Sequence, residues 1–140
     1  MSLAFLATVV VLAGGAQAAG LDSIANRARE AFLSRDFSRL LNARETVRLA
    51  LPRHPVMPVV RGAAAGAILE SHASRTEDQD VSVVRSALVE GRHGYVELSR
   101  RFRVIGTQEP QRDRVLLSAV LRSGTWQITE ILIVEASAVN

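Results

Sequence analysis

The chain has 140 residues, 48% of them hydrophobic, which excludes a largely disordered protein. Its net charge is +3 from seventeen basic residues, every one arginine, against fourteen acids. The arginines are interleaved with the acids, form no basic block, and have too few aromatic neighbours for a base-stacking platform, so nucleic acid is not an expected partner. Cysteine is absent, which excludes disulfides, zinc–thiolate sites and thiol nucleophiles.

The first element is an uncharged apolar stretch from Met1 to Leu21. Its run from Leu3 to Leu12 is followed by Gly14-Gly15 and by Ala16-Gln17-Ala18, an A-x-A peptidase site. Residues 1–18 are therefore expected to be a secretory signal peptide, leaving 19–140 as a single domain that works in the periplasm or outside the cell. No arginine precedes Arg27, which is unusual for a signal, and about 20 apolar residues can also span a bilayer as an uncleaved anchor. The glycines and the A-x-A site favour cleavage, after which no stable membrane anchor remains.

Asp22 and Ser23 are candidate helix caps. Behind them Ile24, Ala28, Ala31 and Phe32 recur at helical spacing. After Ser34-Arg35-Asp36 a second short helix is expected, with Phe37, Leu40 and Leu41 on one side. The period then changes to two: Val47, Leu49 and Leu51 alternate with Arg48 and Ala50 as a strand. Pro52, Pro55 and Pro58 hold the next segment out of helices and central strands, and Val59-Val60 is a candidate edge strand. Residues 61–74 are alanine-rich and read as a helix with Ala64, Ala67, Ile68 and Ser71 on a common face. Thr76 to Asp80 reads as a polar loop. Strands are expected over 81–89, 94–105, 115–121 and 126–134.

The last two strands carry the strongest local signal. Ser123-Gly124 suits a two-residue hairpin loop. That loop pairs Arg122 with Thr125, Leu121 with Trp126 and Ala119 with Ile128, and, carried on, Leu117 with Glu130 and Val115 with Leu132. One face is then apolar except for Glu130. The opposite face carries Leu116, Val120, Ile131 and Ile133, an apolar patch that suits a partner. The same parity on the preceding strand turns Val96, Leu98, Phe102 and Val104 inward, together with Arg100. A buried charge needs a partner or a wet pocket, so Arg100 and Glu130 are expected as a structural pair or as the polar spot of a ligand cavity. Candidate pocket residues are Arg100, Glu130, Phe102, Trp126 and Ile68. Candidate dimer-interface residues are Leu116, Val120, Ile131 and Ile133, unless the tail from Ala136 to Asn140 or a loop covers them.

Other chemistry is thin. His54, His72 and His93 lack ligand spacing. His72 suits a helix C-terminus. Glu77, Asp78 and Asp80 lack the remaining parts of a calcium loop. No catalytic set, metal site or cofactor is expected.

Helices, a strand, a proline-rich crossing, a helix and a four-strand meander form an α+β order. The run Ala31-Phe32-Leu33-Ser34-Arg35-Asp36-Phe37-Ser38-Arg39-Leu40-Leu41 resembles the opening of the nuclear-transport-factor-2-like, or cystatin-like, superfamily. Ser123-Gly124-Thr125-Trp126-Gln127-Ile128 resembles its closing strand. With Gly94-Tyr95-Val96-Glu97, the pattern is similar to small bacterial exported domains of unknown function over about Leu21 to Glu135. The resemblance implies a cone: a curved, mostly antiparallel sheet wrapped around two to three helices. It also implies a frequent homodimer. Superfamily enzymes such as ketosteroid isomerase place Asp, His or Tyr inside the cone, and no such constellation aligns here. The expected role is therefore a non-enzymatic domain that binds a small apolar ligand or a protein. The alternative is an isomerase- or dehydratase-like enzyme with an inward carboxylate such as Glu130 as base.

Overall fold

A computed structural model describes residues 2–54 and 59–136, with backbone only at 2–16 and with no side-chain placement at Gln79. Pro55 and Pro58 of the proline-rich segment, and the tail beyond Ala136, lie outside the described residues. Among the described residues no helix is long and apolar enough to cross a membrane.

Helix α1 runs unbroken over Ser2–Ser34. Leu21, Ile24, Ala25, Ala28, Ala31 and Phe32 are buried, the i, i+3, i+4, i+7 stripe of a helix lying on a core. Asp22 and Ser23 thus start no helix; the Asp22 carboxylate accepts a hydrogen bond from Ser86 Oγ at 2.8 Å. The helix ends at Arg35, whose φ of 61° breaks the spiral and whose guanidinium donates to the Thr76 carbonyl at 2.8 Å. The second short helix is instead a pair of turns, in which Leu40 and Leu41 N–H both donate to the Phe37 carbonyl. Asp36 draws the chain into this turn by accepting from Ser38 N–H at 3.0 Å and Ser38 Oγ at 2.6 Å. That local competition with the backbone ladder is what Asp does outside helices.

Strand β1 (Thr46–Ala50) pairs antiparallel with the short β2 (Val60–Arg61) and parallel with β6 (Thr125–Glu135). Helix α2 (Gly62–Ala73) follows β2 directly. Its buried residues are Gly62, Ala65, Gly66, Leu69 and Ala73, so the expected Ala64–Ala67–Ser71 face is the outer one. Glycine selects the face: at Gly62 an added Cβ would run into the Asn42 carbonyl, and at Gly66 it would touch Phe37. Strands β3 (Thr76–Val89), β4 (His93–Val104), β5 (Pro110–Arg122) and β6 form the meander, and the sheet order is β2-β1-β6-β5-β4-β3. The architecture is the expected α+β cone: among the described residues the four-strand meander is extended by β1 and β2, at the expected strand near Val47–Leu51 and edge strand near Val59-Val60, into a six-stranded sheet. Thr76–Asp80 is part of β3 rather than a loop, because β4 pairs with it on both sides of a bulge between Asp78 and Asp80.

The β5–β6 hairpin turns at Ser123 and Gly124, with φ of 50° and 77°, the two positive values of the tight turn that matches strand twist. Pairing then follows expectation as far as Ala119 with Ile128. There a β-bulge intervenes, and the partners become Ser118 with Glu130, Leu117 with Ile131 and Val115 with Ile133. One extra residue, Thr129, exchanges the two faces of everything after it. Ile131 and Ile133 are in the core at 0% and 1% exposure, whereas Glu130, Leu132 and Val134 face outward.

Candidate functional site

Two polar regions sit at opposite ends of β5 and β6. The first surrounds Arg100, fully buried on β4. Its Nε and Nη2 both reach Asp78 Oδ1 at 2.8 Å, and Nη1 donates to Asp113 Oδ2 at 3.0 Å. Nη2 also donates to the Thr76 hydroxyl, which passes its own proton to the Ala73 carbonyl at 3.2 Å. The Phe102 ring lies against the guanidinium at 4.3 Å and Phe32 at 5.8 Å, both within cation–π range. Asp78 Oδ2 has no hydrogen-bond partner among the described residues, because Oδ1 takes both donors.

Arg100 points inward as its parity predicts, but its partners are Asp113 and Asp78 rather than Glu130. Asp113 was legible: it lies two residues before Val115 on the inward parity of β5 and directly opposite Arg100 in the ladder. Asp78 was hidden by the β3 bulge between Asp78 and Asp80. Burial raises the Asp113 pKa to about 6, against the opposing pull of Arg100. His72, half-buried on α2, has its pKa lowered by burial and then by the Arg100 charge.

The second region is an open cavity of about 380 Å³ where α1, the 38–47 segment and the β5–β6 turn meet. Ile24, Leu40, Leu41, Val47 and Ile128 supply its apolar surface, and Trp126 forms one wall. The indole N–H of Trp126 donates to the Gln17 carbonyl at 3.2 Å, and the ring packs within 3.0 Å of where a Cβ on Gly20 would stand. Glycine there lets α1 close over the ring. Arg27, Arg39 and Arg122 also line this cavity.

The expected pocket residues are therefore divided. Arg100 and Phe102 belong to the sealed cluster, and Trp126 belongs to the open cavity. Ile68 is half-buried on α2 against the core. Glu130 is turned by the bulge into a groove on the outer sheet face, lined also by Tyr95, Leu116 and Leu132. Of the expected interface residues, Leu116 and Val120 remain on the outer face, while Ile131 and Ile133 do not. The arginines of the open cavity escaped the sequence reading because turns and a hairpin bring together positions as distant as Arg27 and Arg122.

No family model matches the chain and no curated protein matches it. Solved structures do. A DUF4783 family protein from Bacteroides ovatus superposes with a TM-score of 0.60 at 14% identity, over 78% of this chain and 92% of its own. A ketosteroid isomerase-like protein from Erwinia carotovora atroseptica gives 0.67 at 13%, over 85% and 95%. The fold is the nuclear-transport-factor-2-like cone. A domain of unknown function with a cystatin-like fold from Nostoc punctiforme is similar as well, at a TM-score of 0.63 and 13% identity over 82% of this chain and 74% of its own. The space beside Arg100 is filled by its partners, and an open cavity lies by Trp126.

Proposed function

We propose that this protein is an exported, non-enzymatic cone domain that binds a small ligand in the Trp126 cavity and works as a homodimer. The cavity carries the reading. Its 380 Å³ falls at the small end of ligand pockets, about 300–1,000 Å³, and its lining sets half-buried Trp126 and the edges of Leu40, Leu41 and Ile128 among a majority of polar residues. The carboxylates that do point inward, Asp78 and Asp113, are held by Arg100 and lie away from this cavity, which supports binding over catalysis. Mass spectrometry of native protein purified from the periplasm or medium tests both halves of the proposal. The expected result is an amino terminus at Ala19 and a stoichiometric small molecule that leaves on mild extraction. Intact Met1 in a membrane pellet overturns export, and an empty cavity in native protein overturns ligand carriage.

The dimer reading uses the outer face as the bulge sets it. Leu116 lies opposite Leu132, next to Tyr95, which is 49% exposed. A twofold contact needs only one such patch. Leu132→Asp is expected to give a folded monomer by sedimentation; a dimer indifferent to it argues against this interface.

A further inference from the structure

Resting on the Trp126 cavity as the ligand site, we propose that its ligand is an amphipathic anion: a small aliphatic or aromatic carboxylate. Its apolar body lies against Trp126, Ile128 and Leu41, and its charge meets Arg27, Arg39 and Arg122.

The lining carries the charge argument. Three arginines, Arg27, Arg39 and Arg122, line the cavity with one acid, Glu45; Arg27 and Arg39 also border an adjoining surface with Asp22, Glu30 and Asp36. The three arginines come from three separate segments: α1, the turn after it, and the end of β5. None of the three joins an ion pair among the described residues, as for most arginines of the chain. The nearby carboxylate of Asp36 is outside this lining and is occupied by Ser38, whose hydrogen bonds lower its pKa ahead of any effect from Arg39. Arg27 Nη1 donates to the Arg39 backbone carbonyl at 3.5 Å, which ties α1 to the following turn at the edge of the cavity. A lining with three arginines and one acid is completed by an anion.

Chemistry then narrows the class. A guanidinium matches a carboxylate with two parallel N–H donors, and arginine is the residue that does so best. An inorganic anion would meet the arginines and leave the exposed part of Trp126 and the edges of Leu41 and Ile128 uncovered. A neutral hydrocarbon would cover that apolar surface and leave the guanidinium groups unanswered. An amphipathic carboxylate satisfies both.

Trp126 is the sole tryptophan of the chain and lines the cavity, so its emission reports occupancy directly. Exported protein with its amino terminus at Ala19, and so without the Gln17 carbonyl beside Trp126, is titrated at low ionic strength with decanoate, with decanol and with inorganic phosphate. Decanoate is expected to shift Trp126 emission saturably, at least about tenfold more tightly than decanol, and to weaken as salt screens the rim. In Arg39→Gln/Arg122→Gln that preference is expected to fall by about tenfold while decanol binding stays unchanged. Equal affinity for decanoate and decanol, or a preference that survives the double substitution, overturns the anion assignment and leaves the cavity as an apolar site. Phosphate binding as tight as decanoate overturns the amphipathic part. A Trp126 spectrum unmoved by all three probes overturns the cavity reading itself.

Discussion

The two arginine regions of this cone teach opposite lessons about the same side chain. At one end of β5, Arg100 is sealed: two carboxylates, a hydroxyl and two aromatic rings account for its donors and its faces. About 31 Å along β5 from Asp113 to Arg122, at roughly 3.4 Å per residue, Arg27, Arg39 and Arg122 line an open volume. A buried charge whose partners are internal serves the fold, since its energy is already matched inside the chain. Exposed arginines that line an open cavity with one acid among them have their best match outside the chain. Arginine content alone does not separate the two cases; the location of the counter-charge does.

The largest test of this contrast is Arg100→Met. It leaves Asp78 and Asp113 buried without their cation, and removal of one partner of a buried pair typically costs about 3–5 kcal/mol. Chemical denaturation at pH 7 should show a loss of that order. The loss should shrink at pH 5, where Asp113, with its pKa near 6, takes up a proton. The cavity should keep its Trp126 response in the folded fraction. Near-native stability would mean that Arg100 is not the keystone of its end.

Asp113→Asn sharpens the same end. The folded-state pKa of about 6 lies above the ordinary 3.8, so the folded chain holds this proton more tightly than the unfolded chain. The resulting stability is present below pH 3.8 and is lost as pH rises through about 6. His72 works in the other direction: with its pKa lowered below 6.5, it stabilises above 6.5 and that contribution is lost as pH falls. Comparing urea midpoints of wild type and Asp113→Asn at each pH isolates the carboxylate. Wild type should lose ground to the variant between pH 4 and pH 7, by up to about 3 kcal/mol. A constant difference across that range would show that Asp113 does not titrate there.

The smallest expected effect is at the cavity end. Gly62 has no room for a Cβ beside the Asn42 carbonyl, and its N–H donates to the Glu45 carbonyl at 2.7 Å. Gly62→Ala should lower stability by about 1–3 kcal/mol, the usual range for overpacking. Because it displaces the 42–45 wall, it should also weaken decanoate binding, which Arg100→Met should not. A stable variant that binds normally would place the wall elsewhere.

Legibility in the sequence divides along physical lines. Helical spacing on α1 and alternation on β4 were clear because each has one buried face with few exceptions. The order of elements pointed to the cone. The hairpin turn at Ser123-Gly124 was clear because it is a local property of two residues. Parity beyond Thr129 was not, since Ile131-Leu132-Ile133-Val134 is apolar in both phases and fits either face. The error carried Glu130 inward and Ile131 and Ile133 outward. Convergence of Arg27, Arg39 and Arg122 depends on tertiary closure of turns, for which no periodicity exists.

The bulge at Thr129 behaves as a phase marker in the hairpin. Without it, Ile128 and Ile131 would be separated by a single residue, Glu130, and strict alternation would put Ile128, Ile131 and Ile133 on one side throughout. A chain shortened by Thr129 therefore keeps its core and loses only a local bend. A one-residue deletion at Leu132 instead brings Val134 into the place of Ile133 on a strand that must slip to meet it. Length variation by single residues is thus tolerable at one point of β6 and disruptive beside it, so relatives of this chain that differ by one residue in the last strand should differ at the bulge.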